Sequence, residues 1–487
     1  VALQASGLRY AVRPNVLLKY FGQLNLILAI LTIAPLGVSL LFGEFLASLR
    51  YCIVLCALLI FWFSTIRVRA PADMQNNEGL VLAALIFLFT PLVMAYPMMY
   101  PGSGFLDAFF EAVSGITTTG LSTRETLNNA SVNFLFARAW MQWYGGLGIV
   151  VLSLAFVLRP GLAAKSLAGS GVETDDLVGG TRARARKVFR IYCILTFLGI
   201  IGSLLAGVSF FESLLFSLSA VSTGGFAPYD SSIANLGVPA QGWITLASLT
   251  AAVPLTFYSR IFSKRNKAGL GIFQLKAIII ACVVVSLAVA TSMRICGGMA
   301  WSQILHHAPL LAFSAQTTAG FSSLSPAELD STSKLLLTFS MLIGGDMEST
   351  AGGFKLLRLL IAAHVFQLLL LRSSLPKHAV IDHRLADHPL HEEEIRNAFL
   401  LIVLFIGIVA VSWIPFVAMG FDPIDSLFEV ASATGTVGLS TGITSSTLPS
   451  LLKGVLCIDM LMGRLEIIAW LVLLYPKTWI GRRMEGT

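Results

Sequence analysis

Charged side chains are scarce in this chain: Asp, Glu, Lys and Arg make up 12% of its 487 residues, about half the usual share of a soluble domain, whereas 56% are hydrophobic. That balance excludes an ordinary water-soluble protein and calls for a lipid bilayer. Cysteine is sparse too. The six thiols (Cys52, Cys56, Cys193, Cys282, Cys296, Cys457) lie in or at the ends of apolar stretches and form no CxxC pair, which argues against a disulfide framework or a thiolate metal site. The chain has no Gly-rich phosphate or dinucleotide fingerprint, and no set of nucleophile, base and orienting group, so an enzyme is not expected. The formal charge of +7 is spread over helix flanks, which gives no reason to invoke nucleic acid.

What is present is a series of apolar runs. A helix needs about 20 residues to cross the hydrocarbon layer. Runs at 21–43, 51–65, 79–106, 140–158, 191–211, 242–259, 277–293, 335–371 (with one interruption), 399–420 and 454–475 predict about ten crossings. The first is too long, and too closely followed by the second, to be a cleaved signal. Most of the 33 Lys and Arg fall on one set of flanks, including segments 158–190, 260–276, 372–396 and 477–483. Positive flanks stay on the cytoplasmic side, so both termini are expected there.

One short motif occurs four times: Thr117-Thr118-Thr119-Gly120-Leu121, Ser222-Thr223-Gly224-Gly225-Phe226, Thr317-Thr318-Ala319-Gly320-Phe321 and Gly435-Thr436-Val437-Gly438-Leu439. Glycine holds the fourth place in each, and a serine precedes each in register (Ser114, Ser219, Ser314, Ser432). Each motif follows an amphipathic stretch, starting near Phe105, Phe210, Trp301 or Asp422, that is too short to span and reads as a re-entrant pore helix. The expected fold is an all-α integral membrane protein. It has four pseudo-symmetric units of helix, pore helix, loop and helix around a central pore, at 79–158, 188–260, 272–372 and 395–480, with an N-terminal helix pair at 1–78.

Irregular backbone at membrane depth survives only when buried in protein or lining water, so four such loops are expected to meet at one axis. Glycine lets carbonyl oxygens turn inward, and the negative ends of the pore helices point to the same place. Such carbonyl rings replace the hydration shell of a cation. The four motifs contain no Asp or Glu, which favours a monovalent over a divalent ion. The segment 209–241 holds Glu212 and Asp230 but no Lys or Arg, so the outer mouth is expected to attract cations.

The apolar run 335–371 is broken by Gly344-Gly345-Asp346-Met347-Glu348-Ser349-Thr350-Ala351-Gly352-Gly353. An aqueous loop is the bland reading, but 335–343 could not span, and an extra crossing would invert the fourth unit. The favoured reading is an unwound intramembrane segment, mobile enough to block a pore or swing aside. Asp346 and Glu348 give it an unusual charge load, a candidate local cation site, and Lys355 and Arg358 are candidate anchors after it. Arg464 lies near the middle of the last apolar run, where a charge marks a functional site or a structural ion pair. Glu466 and Asp459 share its helical face poorly, so its partner is expected elsewhere.

The four motifs, the helix pair before them and the interrupted third inner helix together resemble the Trk/Ktr/HKT superfamily of potassium transporters over nearly the whole chain. Ten crossings resemble its TrkH branch, and the fourth loop resembles its KtrB branch. The resemblance implies that Gly120, Gly225, Gly320 and Gly438 favour potassium, since a serine in the first place is associated with sodium-permeable plant relatives. Only the fourth motif keeps the Thr-Val-Gly of tetrameric potassium channels, which implies a weaker or shorter set of ion sites.

The resemblance also implies that the Gly344–Gly353 segment closes the pore below the filter and that Arg464 projects beneath the filter toward it, with Asp346, Glu348 or backbone carbonyls as acceptors. It further implies a homodimer in the bacterial inner membrane and a cytosolic TrkA- or KtrA-type ring that supplies nucleotide (ATP, ADP or NAD) control in trans. The basic clusters Arg182, Arg184, Arg186, Lys187, Arg190 and Lys264, Arg265, Lys267 read as topology signals or its docking surface. No cofactor of its own is expected beyond transported potassium. The loop bearing His378, Asp382, His383, Asp387, His388, His391 and Glu392–Glu394 fits no standard zinc spacing, and His306 and His307 read as pore-helix packing or mouth residues. An ion-coupled symporter, using protons or sodium, is the main alternative, and a receptor or scaffold the second; four repeats of one orientation favour a pore over the paired inverted halves of a carrier.

Overall fold

The computed structural model describes residues 11–71, 74–148, 180–261, 269–374, 376, 384–386 and 388–481. Among these, seven helices are long and apolar enough to cross a membrane: Pro14–Leu41, Phe45–Thr65, Asn76–Met98, Ala185–Leu205, Gly271–Ile295, Leu356–Ser373 and Glu392–Ala418. They are apolar on nearly every face, which in water would be intolerable and in lipid is required. Ile280, Val284 and Leu287, spaced to share one face of a helix, are exposed, and such outward apolar faces are the protein's contact with lipid.

The first two helices form a hairpin against the first repeat. Arg13, at the start of the first helix, pairs with Glu78 at 2.8 Å, and the Glu78 side chain is fully buried. Trp140 Nε1 donates to the Leu31 carbonyl at 2.9 Å and Asn133 N to Glu44 Oε1 at 3.1 Å, so the hairpin is fixed to an inner helix as well.

Each repeat then has an outer helix, a pore helix and an inner helix. The pore helices are Phe105–Ile116, Phe210–Val221, Trp301–Gln316 and Pro423–Thr434, starting within a residue of the predicted positions. The fourth has the clearest local cause: Pro423 sits at its first turn, and the Asp422 carboxylate caps it by accepting from Ile424 N and Asp425 N. From Ser426 or an equivalent place onward most residues of these helices are buried, because the other helices ring them.

The inner helices begin at Val132–Leu147, Val238–Ala251, Ser331–Ile343 and Ser450–Arg464. At about 1.5 Å per residue, none of these first pieces covers a layer about 30 Å thick. The break predicted in the third repeat, resuming as Leu356–Arg372, is therefore not unique. The second inner helix stops at Ala251 and resumes at Leu255–Ile261, because Pro254 lacks the amide needed to continue the ladder and disfavours helical backbone in the residue before it. The fourth stops at Arg464 and resumes at Glu466–Leu474, with Glu466 in left-handed backbone at φ 57. The first ends at Gly148, φ 78; the remainder of its expected crossing, 149–158, lies outside the described residues.

Candidate ion pathway

The four loops share one backbone conformation. The second residue is left-handed in each (Thr118 φ 56, Thr223 φ 53, Thr318 φ 53, Thr436 φ 51), and so is the fourth (Gly120 φ 97, Gly225 φ 78, Gly320 φ 72, Gly438 φ 93). For a β-branched threonine that conformation costs about 1–3 kcal/mol, so surrounding contacts must impose it. The third amide turns back to the pore helix: Thr119 N, Gly224 N, Ala319 N and Val437 N donate to the carbonyls of Ser114, Ser219, Ser314 and Ser432 at 2.8–2.9 Å. The serines found in register are thus the anchor points of the loops. In the first and fourth repeats their hydroxyls also accept from Gly120 N and Gly438 N at 3.0 Å.

The loops meet in a closed ring. A Cβ added to Gly120 would lie 2.3 Å from the Gly224 carbonyl oxygen, one on Gly225 2.7 Å from that of Ala319, one on Gly320 2.1 Å from that of Val437, and one on Gly438 2.1 Å from that of Thr119. Each fourth-place glycine therefore abuts the third-place carbonyl of the next repeat, in the order one, two, three, four and back to one. Side chains there would force the loops apart, which is the physical need for glycine at all four places.

Two carboxylates that the sequence reading passed over hold the mouth. Glu111 Oε1 accepts from Ser122 Oγ at 2.5 Å and Thr123 N at 2.9 Å, while its Oε2 lies 3.3 Å from Arg138 Nε. Glu429 receives Ser440 Oγ, Thr441 N, Thr441 Oγ1 and Thr444 Oγ1. Both sit nine residues before the fourth-place glycine and ahead of a Leu-Ser-Thr, a repeated signal that a comparison of motif flanks would have found; the second and third repeats have Phe216 and Leu311 there. In those repeats the pore helix reaches the loop through Glu212 with the Tyr229 hydroxyl, and His307 with Ser323 at 3.1 Å. Burial, with the Glu212 carboxylate, pushes the Tyr229 hydroxyl up to about 12, so it stays a donor at neutral pH. Ion pairs join adjacent repeats: Lys334 with Asp425 and Lys453 with Asp107, each 2.6 Å. Asp230 accepts from Leu127 N at 2.6 Å and Thr126 Oγ1 at 3.0 Å.

The segment between the two pieces of the third inner helix seats directly against the ring. Gly352 N donates to Thr318 Oγ1 at 2.7 Å, Gly353 N to the Gly435 carbonyl at 3.1 Å, and Thr350 Oγ1 lies 3.3 Å from Thr223 Oγ1. A Cβ on Gly352 would fall 2.0 Å from the Gly435 oxygen and 2.1 Å from Thr436 Oγ1. Gly344, at φ 70, turns the chain out of the helix, and its carbonyl accepts from Gln316 Nε2 at 2.7 Å. The segment is laced to the break in the second inner helix: Asp346 N and Thr350 N donate to Ala252 and Ala251 carbonyls, and Leu255 N to that of Glu348.

Arg464 donates to the Thr350 carbonyl at 2.7 Å and to those of Gly146 and Gly145 at 2.6 and 3.0 Å. Its acceptors are thus backbone carbonyls, and neither Asp346 nor Glu348. Asp346 instead accepts from Gln274 Nε2 at 3.0 Å and Met347 N at 2.7 Å, and Glu348 from Thr256 Oγ1 at 2.6 Å. Lys355 reaches the Ala351 carbonyl, and Arg358 pairs with Glu466 at 2.6 Å, tying the third inner helix to the fourth below the break.

Among the described residues no group of three His, Cys, Asp or Glu side chains is placed to hold a metal. His378, Asp382, His383, Asp387, Lys264, Arg265 and Lys267 lie outside the described residues, as do the side chains of Arg182, Arg184 and His388.

Known proteins agree with this architecture. The chain is 30% identical over 486 residues to the Trk system potassium uptake protein TrkI of Halomonas elongata, covering 95% of this chain and 96% of that one. It is 29% identical over 471 residues to an uncharacterized cation transporter of Methanocaldococcus jannaschii, with 95% and 96% covered. The crystal structure of the potassium transporter TrkH from Vibrio parahaemolyticus superposes with a TM-score of 0.84 over 96% of this chain and 99% of that one, at 24% identity, which establishes the common fold. The TrkH model, described as cation transport protein, matches residues 45–251 and 269–479, so the chain belongs to this family of multi-pass membrane transporters, not of enzymes.

Proposed function

We propose that this chain is the pore subunit of a potassium uptake system and that potassium passes inward through the ring of four glycine loops. The observation that carries the reading is the closed cycle of loop contacts, glycine against the next carbonyl four times over, with residues 344–355 seated against three of its second-place threonines. Main-chain oxygens so arranged suit a dehydrated monovalent cation. Relatives named as Trk system potassium uptake proteins support potassium as that ion. The seated segment, latched by Arg464 through the Thr350 carbonyl, is the gate in its shut position.

In this reading the membrane is the bacterial inner membrane, with both termini on the cytoplasmic side where positive flanks concentrate. The chain works as a homodimer, and a cytosolic TrkA- or KtrA-type ring carrying the nucleotide opens the gate. Recordings from protein reconstituted in bilayers with potassium and sodium on opposite sides test the ion path. Gly320→Ala and Gly438→Ala each place a methyl about 2.1 Å from a neighbouring oxygen and are expected to lower potassium-over-sodium selectivity. Unchanged reversal potentials in both variants would defeat the assignment, and flux that follows a proton or sodium gradient would identify a symporter instead.

A further inference from the structure

Gln142, on the inner helix of the first repeat, is fully buried and spends both ends of its amide on the loop of the second repeat. Its Nε2 donates to the Gly224 carbonyl, and its Oε1 accepts from Phe226 N at 3.2 Å. The clamp therefore grips a third-place carbonyl of the ring and an amide two residues on, across a repeat boundary.

Among the described residues the inner helices of the other repeats show no counterpart. Gln142 lies ten residues past Val132, where its helix begins, and the same step from Val238, Ser331 and Ser450 lands on Ser248, Met341 and Met460, none of which carries an amide. Among the described residues no hydrogen bond reaches the carbonyls of Thr119, Ala319 or Val437, the other three third-place oxygens. The clamp also accounts for composition. A Cβ on Gly224 would lie 2.4 Å from Gln142 Cδ, and the second loop alone has glycine in the third place, where the others have Thr119, Ala319 and Val437.

We propose that Gln142 is a specificity-determining positioning residue of the ion path, holding the Gly224 carbonyl at a fixed distance from the axis and drawing off part of its electron density. The ring is then electrostatically uneven: among the described residues three of these oxygens accept no hydrogen bond and one is held. Selectivity depends on how closely the oxygens can follow a smaller ion inward and on the field they offer. A carbonyl whose oxygen is tied to a fixed donor resists the contraction that sodium requires. This inference rests on the reading of the four loops as the potassium path.

The test is bilayer recording of three variants beside Gly320→Ala. Gln142→Met keeps the length of the side chain and matches the third and fourth repeats, but cannot donate. It is expected to lower the potassium-to-sodium permeability ratio about 2- to 10-fold, the worth of one hydrogen bond, with ion flux retained. Gly224→Ala is expected to impair insertion and selectivity, and Gln142→Ala in the same chain to restore insertion by removing the clash. A wild-type ratio in Gln142→Met, with Gly320→Ala altered, overturns the role of Gln142 and leaves the path intact; wild-type ratios in both overturn the path itself. If Gln142→Met does not insert, the glycine pair decides: a harmless Gly224→Ala overturns the clamp, and a harmful one rescued by Gln142→Ala supports it.

Discussion

Replacing Arg464 with alanine tests the proposed latch. Of its three hydrogen bonds, those to Gly145 and Gly146 hold it to the first inner helix, and only the 2.7 Å bond to the Thr350 carbonyl reaches the segment seated under the loops. A hydrogen bond from a charged donor is worth about 1.5–3 kcal/mol. Arg464 is only partly buried, which places the loss toward the lower figure. If the seated and displaced forms are in equilibrium, losing about 1.5 kcal/mol from the seated one raises the displaced fraction by roughly a factor of 10. The assay is open probability in single-channel recordings without any cytosolic subunit, with rubidium uptake into proteoliposomes as the ensemble measure. Arg464→Lys, which keeps the charge but loses the forked geometry, is expected to fall between the two. Basal opening at or below wild type, in monodisperse and correctly inserted Arg464→Ala, would refute the latch. Raised unitary conductance with unchanged open probability would assign the arginine to the electrostatics of the vestibule instead.

Two other perturbations probe the same assembly. Gly352→Ala puts a methyl about 2 Å from the Gly435 oxygen and from Thr436 Oγ1, so the segment cannot seat fully; basal rubidium uptake is expected to rise, and wild-type uptake in inserted protein would show that this close approach is not what shuts the path. The pair Lys334–Asp425 joins the third inner helix to the fourth pore helix with both side chains largely shielded; a double-mutant cycle on thermal stability should give a coupling of about 1 kcal/mol, and coupling indistinguishable from zero would mean that the pair adds nothing to ring closure.

Much of the plan was legible because lipid imposes a local rule. A stretch either satisfies its backbone within a helix and presents apolar side chains, or it must be buried, and that choice is visible in runs of about 20 residues. The runs, the starts of the four pore helices, the serines in register and the interruption at Gly344–Gly353 all follow from it. Pro254 is equally visible as a helix breaker, yet the apolar run 242–259 around it predicts one uninterrupted span, which the structure breaks between Ala251 and Leu255.

The sequence by itself determined the class of molecule, the fourfold repetition and the need for glycine where backbone must turn at membrane depth. Only the tertiary structure decided which loop abuts which, that each second-place threonine is forced left-handed, that Arg464 reaches the Thr350 carbonyl and neither Asp346 nor Glu348, and that Glu111, Glu429 and Gln142 bind the loops in place. The physical reason is range. Hydropathy and turn preference are properties of neighbours along the chain, whereas Gln142 meets Gly224, and Arg464 meets Thr350, only after separate repeats have docked around a common axis.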